Sequence, residues 1–188
     1  EEARGLPCDG LELSIYPSWV EEAERIAADL ADLALPFETA HAEKAVGARL
    51  SEGDESAVER LEGSALIASR VGARLLVLHL WELPLGDRYL ERNLELLPSC
   101  ADVAERHGLT LGIETIPCSV GSPLANVAKA VEREPRCVAV LDTEFLALHG
   151  ELRNAKSLVQ HAGGKPHFHE HPRQQDPVGI GHDAAEGD

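Results

Sequence analysis

Several features that would place a chain in a membrane or on nucleic acid are missing from this sequence. No apolar run approaches the roughly 18 residues that a bilayer-spanning helix needs, and no signal-peptide pattern is present. Basic residues are few, 17 against 33 acidic ones, and the formal net charge is −16. A surface of this sign repels nucleic acid unless a basic groove overrides it, and Lys and Arg do not cluster here. We therefore expect a cytoplasmic protein that binds neither membranes nor nucleic acids.

Paired cysteine motifs and nucleotide-binding loops are missing as well. The four cysteines lie far apart in the chain and form no CxxC pair: Cys8, Cys100, Cys118 and Cys137. This spacing is typical of reduced thiols and not of a disulfide framework or a zinc knuckle. A GxGxxG loop, a Walker loop and a Ser-His-Asp order are also missing, so nothing indicates a nucleotide-binding or serine-hydrolase function.

The length and composition are those of one globular domain. The chain has 188 residues, of which 44% are hydrophobic and 27% are charged. A chain of this size buries a real core, and no linker divides it. We expect a single domain over residues 1–188.

Six short apolar runs each end on a side chain that can bind a metal or move a proton. They recur roughly every 30 residues, about the length of one strand, one helix and two loops. If the strands are parallel and adjacent, their carboxyl ends share one rim, and these side chains converge there. The six terminal residues are Glu12, His41, His79, Glu114, Asp142 and His169.

Helical patterns separate the apolar runs. The segment 18–35 has a helical period, with Ser18 as the expected N-cap and Glu21 completing a capping box. The segment 55–72 repeats the pattern and is expected to stop at Gly72. A later helix is predicted to begin at Pro123 behind a Ser122 cap. The alternation of strands and helices favours a parallel sheet with helices outside it.

The predicted fold is an α/β (β/α)8 TIM barrel that is incomplete. About six βα units are counted, whereas a full barrel typically needs about 250 residues. We expect the first and last strands to be missing, so that the chain is a fragment of a longer barrel. Uncovered sheet edges would then favour pairing with another copy, which makes a homo-oligomer an expectation. An open doubly wound sheet of six strands is the structural alternative.

The sequence resembles the xylose isomerase-like TIM-barrel superfamily. The resemblance rests on GLELS with Glu12, on LGIET with Glu114, on VAVLDT with Asp142 and on HFH with His169. It covers nearly all of residues 3–188 in order and spacing. The superfamily contains sugar-phosphate isomerases, ketose 3-epimerases and abasic-site nucleases of the endonuclease IV type.

The resemblance implies a divalent metal and a sugar substrate. By resemblance, Glu114, Asp142 and His169 are metal ligands, and Glu114 is also a catalytic acid or base. Two carboxylates and one imidazole suit Mn²⁺, Mg²⁺, Co²⁺ or Zn²⁺. The expected reaction is the isomerisation or epimerisation of a sugar or sugar phosphate by proton transfer through an enediolate. The chain departs from many relatives at Phe145, which stands where their D-T-x-H motif has histidine.

The remaining candidates are assigned to substrate. His41 and His79 are expected to contact the sugar, and Trp81 just beyond them offers an apolar wall for a sugar face. Arg173 follows the metal-ligand histidine and is expected to bind substrate. Glu12 is also assigned to substrate binding.

Two other functions remain open. The first is a zinc-dependent abasic-site nuclease, in which His41 and His79 would join Glu114, Asp142 and His169 around a three-zinc cluster. Its acidic surface opposes that reading. The second is a truncated barrel that binds a ligand or partner without turnover.

Overall fold

The computed structural model describes residues 8–83 and 85–155, and it describes the backbone alone for the strand at 167–169. All four cysteines lie in these residues and are free thiols, as predicted. No helix in the described part of the chain has the length and apolar character that a bilayer crossing requires.

The strands follow the six apolar runs of the sequence. Each of the first five ends at, or within two residues of, the polar residue that marked it, and the sixth ends on His169. The strands are β1 (Leu11–Ser14), β2 (Phe37–His41), β3 (Leu75–Leu78), β4 (Thr110–Glu114), β5 (Val138–Asp142) and β6 (His167–His169).

Helices connect the strands. Short 3₁₀ turns lie at Gly86–Tyr89 and Leu152–Asn154. The α-helices are α1 (Pro17–Val20), α2 (Ala23–Ala31), α3 (Ala45–Glu52), α4 (Ser56–Arg70), α5 (Leu90–Arg106), α6 (Pro123–Arg133) and α7 (Thr143–Leu148).

The strands form one sheet in the order β1-β2-β3-β4-β5-β6, and every neighbouring pair is parallel. A doubly wound sheet reverses its strand order at a switch point. The sequential order of the described strands therefore excludes the open doubly wound alternative. It is the order of a TIM barrel, in which each strand pairs with the next along the chain.

The two faces of the sheet are packed differently. On one face, side chains such as Leu76, Ile113 and Leu141 join the main hydrophobic core beneath the helices. On the other face, Leu75, Val77 and Val140 form a separate small apolar cluster. In a barrel this second face is the interior. Beyond this cluster, toward the carboxyl ends of the strands, lie the polar residues described below.

Some local predictions hold and others fail. Gly72 ends α4 with φ +89°, a left-handed conformation that glycine adopts without strain. Ser122 caps α6 as predicted, its hydroxyl accepting from the Ala125 amide at 3.2 Å, with Pro123 in the first turn. The expected cap at Ser18 is wrong.

Ser18 lies inside the short helix α1. This helix ends at Val20, and α2 begins at Ala23. Pro17 starts that short helix early, because its fixed φ suits a first helical turn. Glu21 and Glu22 then form a turn between two separate helices.

Candidate functional site

Strand register places the predicted residues on one face of the sheet. His41 pairs with Val77, and Glu114 pairs with Val140, so all four side chains project to the same side. Asp142 lies two residues beyond Val140 and therefore shares that face. In the backbone register, Asp142 is in turn opposite His169. Glu114 and Asp142 thus end neighbouring strands at the same rim.

A buried cluster of three side chains forms where β2, β3 and β4 end. The Nε2 atom of His41 lies 3.1 Å from Oε2 of Glu114, and the Nε2 atom of His79 lies 2.7 Å from that same oxygen. The two imidazole rings meet edge to face, with their centroids 4.6 Å apart. His41, His79 and Glu114 are 9%, 8% and 3% exposed. The candidate ligand atoms of the three residues all lie within 4.8 Å of one another.

The proton on His41 can be assigned from its partners. Its Nδ1 lies 2.8 Å from the carbonyl oxygen of Ala42, which can only accept, so Nδ1 carries the hydrogen and donates it. Nε2 then faces Glu114, and in a neutral ring two lone pairs would meet there. Either a second proton on His41 or a cation between the two groups relieves this repulsion.

Glu114 acts to raise the pKa of both histidines, but their net pKa shifts have opposite directions. Burial lowers the pKa of His41, but its hydrogen bond and Coulombic attraction to Glu114 outweigh that effect and raise the pKa above its ordinary value. Burial also lowers the pKa of His79, and there the Glu114 hydrogen bond does not compensate. Positive charge on His41 and Lys44 lowers the His79 pKa further. The cluster therefore holds one proton more readily than two.

The donor set of this cluster fits a divalent metal. Two imidazole nitrogens and one carboxylate are the protein ligands of many catalytic zinc sites. The bond from His41 Nδ1 to a backbone carbonyl is the outer contact that usually orients a metal-binding histidine. A cation there would also relieve the lone-pair contact between His41 and Glu114.

Asp142 is fully buried and acts as the N-cap of α7. Its Oδ1 accepts from the Phe145 amide at 2.8 Å, and its own amide donates to the hydroxyl of Thr115 at 2.8 Å. One carboxylate oxygen is thus used in the helix cap. The metal-ligand role of Asp142 remains a prediction.

Two substrate candidates have structural partners. Glu12 on β1 accepts from the Thr39 hydroxyl at 3.0 Å, and its charge contributes to raising the pKa of His41. Trp81 is fully buried, and its indole N–H donates to the Pro117 carbonyl at 3.1 Å. Trp81 therefore ties the loop after β3 to the loop after β4. Contact with a sugar remains a prediction for both residues.

Two predicted residues lie wholly or partly outside the described residues. His169 is placed by its backbone register alone, and Arg173 falls beyond the described part of the chain. Their roles as metal ligand and substrate-binding residue remain predictions.

Asp87 was not among the residues predicted from the sequence. This residue is 5% exposed, and its carboxylate accepts hydrogen bonds from the loop 119–121. Burial raises its pKa, but these backbone donors outweigh burial and lower it below the ordinary value. An aspartate shortly after a strand was the only signal, and its partner loop lies more than thirty residues away.

The fold and the site define an α/β protein of the TIM-barrel type, with a polar cluster at the carboxyl ends of its strands. A family model described as the xylose isomerase-like TIM barrel matches residues 1–178. The chain belongs to the xylose isomerase-like TIM-barrel family. No curated protein matches it by sequence.

Solved structures share the fold at low sequence identity. A D-tagatose 3-epimerase-like protein has a TM-score of 0.66 and 17% identity, over 90% of this chain and 70% of that one. D-psicose 3-epimerase, solved in the presence of D-fructose, has a TM-score of 0.61 and 17% identity, over 84% and 61%. D-allulose 3-epimerase from Methylomonas sp. has a TM-score of 0.63 and 15% identity, over 87% and 63%. The chain thus spans less than two thirds of the length of the last two.

Proposed function

We propose that this protein is a metal-dependent isomerase or epimerase of a sugar or sugar phosphate. The observation that carries the proposal is the buried carboxylate of Glu114, which faces two imidazoles at the end of β4. The adjacent strand ends on a second buried carboxylate, Asp142. Structures of similar fold are described as a D-tagatose 3-epimerase-like protein and as 3-epimerases of D-psicose and D-allulose, two names of one ketose, which is consistent with such a substrate.

Glu114 is the proposed catalytic acid or base. Proton transfer next to a sugar carbonyl needs a carboxylate that is held rigidly and shielded from water. Glu114 is 3% exposed, and both imidazoles approach its Oε2 atom. His41 and His79 orient that oxygen and hold a proton next to it. Removing the proton on carbon would give an enediolate. Returning a proton to the opposite face of the same carbon would complete an epimerisation, and returning it to the neighbouring carbon would complete an isomerisation.

Two ligand sets for the ion share Glu114. The resemblance assigns Glu114, Asp142 and His169, and the described cluster adds His41 and His79 on the other side of Glu114. A divalent ion held by either set would polarise the substrate carbonyl as a Lewis acid. Mn²⁺, Co²⁺, Mg²⁺ and Zn²⁺ remain the candidates.

The test is exchange of carbon-bound hydrogen in deuterated water. The protein is incubated with D-fructose, D-tagatose or their phosphates, with and without Mn²⁺ or Co²⁺, and exchange of the hydrogens on C1 and C3, the carbons next to the carbonyl, is followed by NMR. We expect metal-dependent exchange that is lost in Glu114→Gln. Glu62→Gln is the matched control, because Glu62 pairs with Arg106 and His107 on the surface. Absence of exchange with every ketose and ketose phosphate would refute the proposal.

Metal content identifies which ligand set is used. Glu114→Gln should weaken both sets, whereas His79→Gln should weaken only the imidazole side and Asp142→Ser only the β5 side. Stoichiometry by mass spectrometry under native conditions reports the number of ions in each variant. If neither His79→Gln nor Asp142→Ser changes the stoichiometry or affinity, then Glu114 does not bind the ion with either partner.

A second candidate function is zinc-dependent cleavage at abasic sites in DNA. The specific observation that favours it is the approach of His41 and His79 to Glu114, since this function needs both histidines as ligands. The net charge of −16 opposes it, because DNA binding relies on cationic contacts with phosphate. Phe145 opposes it as well, because it replaces a histidine of the family motif.

An abasic-site duplex decides between the two functions. Cleavage that requires about three zinc ions per chain and disappears in both His41→Gln and Glu114→Gln would favour the nuclease. Ketose exchange without cleavage would favour the isomerase or epimerase.

A further inference from the structure

Asp87 fastens together the two loops that follow β3 and β4. Its Oδ1 accepts from the Ser119 amide at 3.0 Å and from the Ser119 hydroxyl at 2.9 Å. Its Oδ2 accepts from the Val120 amide at 2.9 Å and the Gly121 amide at 2.8 Å. One carboxylate thus takes four hydrogen bonds from three consecutive residues.

The loop 119–121 binds this carboxylate as a backbone nest binds an anion. Successive amides that converge on one point form an anion site, and hydrogen bonds to an ionised acceptor are stronger than neutral ones. Gly121 allows the close turn, since a Cβ there would lie 2.7 Å from Oδ1 of Asn126. The nest is therefore occupied by a group of the chain itself.

The β3–α5 segment, which carries Asp87, is itself held by contacts with α3 and α5. The Asn93 side chain donates to the Leu80 carbonyl at 2.9 Å and to the Ser51 hydroxyl at 3.1 Å. Gly86 lies so close to α3 that a Cβ would be 2.8 Å from the Ser51 hydroxyl. The segment that carries Asp87 is thus anchored to both α3 and α5.

Both loops begin directly beyond the site. His79 opens the first loop, and Glu114 is the last residue before the second. The only other side-chain hydrogen bond described between these loops runs from the Trp81 indole to the Pro117 carbonyl, at 3.1 Å. The pairing of β3 with β4 brings His79 and Glu114 to within 2.7 Å, and both residues lie at the base of the two loops that Asp87 joins.

We propose that Asp87 is a positioning residue, which clamps the β4–α6 loop onto the β3–α5 segment and thereby holds Glu114 against His79. The inference rests on the proposed role of Glu114 for its functional meaning. Its structural content is independent of that role. Asp87 touches neither imidazole in the described contacts and acts through the loop.

Asp87→Asn is the direct test, measured on the metal-free protein. The amide nitrogen of asparagine turns one acceptor into a donor that faces backbone N–H groups. We expect hydrogen exchange of the amides at 119–121 to accelerate by about tenfold or more, as the loss of charge-assisted bonds implies. The Trp81 indole N–H should also exchange faster, with the Trp19 indole as an internal reference. The imidazole ¹⁵N shifts of His79 should change, because its bond to Glu114 is altered.

Two further variants separate positioning from general loss of stability. Ser119→Ala removes one of the four bonds and should give smaller changes of the same kind, and it decides the question if Asp87→Asn does not fold. Val58→Ala on α4 lowers stability by core truncation and should leave the His79 shifts unchanged.

Metal affinity provides one further measurement, and three outcomes would contradict the clamp, the positioning role or the proposed function. Affinity for Co²⁺ should fall by up to about tenfold in Asp87→Asn, the lower end of the loss seen when a direct partner of a metal ligand is removed, because Asp87 acts only through the loop, and it should be unchanged in Val58→Ala. Unchanged exchange at 119–121 would overturn the clamp. Faster exchange with unchanged His79 shifts would overturn the positioning. A wild-type protein without ketose exchange or metal binding would refute the proposed function but leave the metal-free measurements decisive for Asp87.

Discussion

His79 and Glu114 lie on neighbouring strands, and their side chains meet with Nε2 and Oε2 2.7 Å apart in a nearly solvent-free environment. A hydrogen bond between a buried carboxylate and an imidazole is worth more than an exposed one, because water does not compete. The same oxygen also receives His41. Any change at one of the three groups is therefore felt by the other two.

Replacing His79 by glutamine should weaken metal binding. The imidazole nitrogen that faces Glu114 is lost, and we expect affinity for Zn²⁺ or Co²⁺ to fall by at least about tenfold. Competition with a chromophoric chelator measures the change. His107→Gln is the matched control, because His107 pairs with Glu62 away from the site. Equal affinities for both variants and the parent would exclude His79 as a ligand.

Gly47→Ala should destabilise the protein through a clash beneath the site. A Cβ at position 47 would lie 2.6 Å from the His79 carbonyl oxygen and 2.8 Å from that of Trp81. Neither backbone atom moves easily, so we expect a loss of roughly 1–3 kcal/mol in the free energy of unfolding. Chemical denaturation measures it. Glu52→Ala, at the exposed end of the same helix, should change little, and a similar small effect at Gly47 would show that α3 shifts freely.

The stability contributed by Asp87 should disappear in acid. Its pKa is lowered in the folded state below the unfolded value of about 3.9, because the amides of loop 119–121 favour the charged form. The contribution is therefore complete above that unfolded value and is lost as the pH falls through the folded pKa. Melting temperatures of the parent and Asp87→Asn should differ at pH 7, and the difference should shrink as the pH falls below the unfolded value of about 3.9. A constant difference would show that the carboxylate charge contributes nothing.

The cysteines should differ sharply in reactivity at pH 8. Cys8 is exposed, whereas burial raises the pKa of Cys100, Cys118 and Cys137 to about 12 in each case. Only thiolates react quickly with a disulfide reagent such as Ellman's reagent. We expect one fast thiol in the folded protein and four after denaturation. Cys8→Ser should abolish the fast phase, and a fast phase that persists in it would show that at least one of the other three thiols is reactive in the folded protein.

Two substitutions at Asp142 should separate its helix cap from its proposed ligand role. Serine is as good an N-cap as aspartate, so Asp142→Ser should retain the stability of α7, whereas Asp142→Ala should lose about 1 kcal/mol. Both variants lack the carboxylate, so both should bind metal more weakly. Thermal unfolding and metal titration provide the two measurements. A serine variant with the parent's metal affinity would rule out Asp142 as a ligand.

The sheet was predictable from the sequence because its strands are short apolar runs with polar ends. The run that ends at Asp142 became β5 over Val138–Asp142, and the run that ends at Glu114 became β4 over Thr110–Glu114. Runs of four or five residues leave little freedom in where a strand ends. The sequential order then followed from the resemblance to a TIM-barrel family.

Local and long-range details were less predictable. The helix α3 was not predicted, because it has only eight residues, begins four positions after the end of β2 and includes Gly47, a poor helix former. The separation of α1 from α2 was missed because Ser18 and Glu21 fit a capping box that Pro17 pre-empts. Such competition between two valid local signals is decided by tertiary packing.

The sequence predicted that the candidate residues lie at one end of the sheet, but it did not predict that His41, His79 and Glu114 contact one another. Alternation along each strand placed His41, His79 and Glu114 on one face, which the sequence alone indicates. Their mutual contact depends on register between strands, and the sequence carries no direct record of register. The role of Asp87 could not be predicted, because its contacts depend on the paths of two loops and no sequence motif marks it.

Thr115 has a consequence for how this chain can vary. Its own amide donates to the Val140 carbonyl, while its hydroxyl accepts from the amide of Asp142. A side-chain oxygen thus accepts the last hydrogen bond between β4 and β5, the strands that end on Glu114 and Asp142. Only threonine and serine carry a hydroxyl on Cβ at that reach, so homologues or designed variants that retain this rim geometry should be restricted to those two amino acids at position 115.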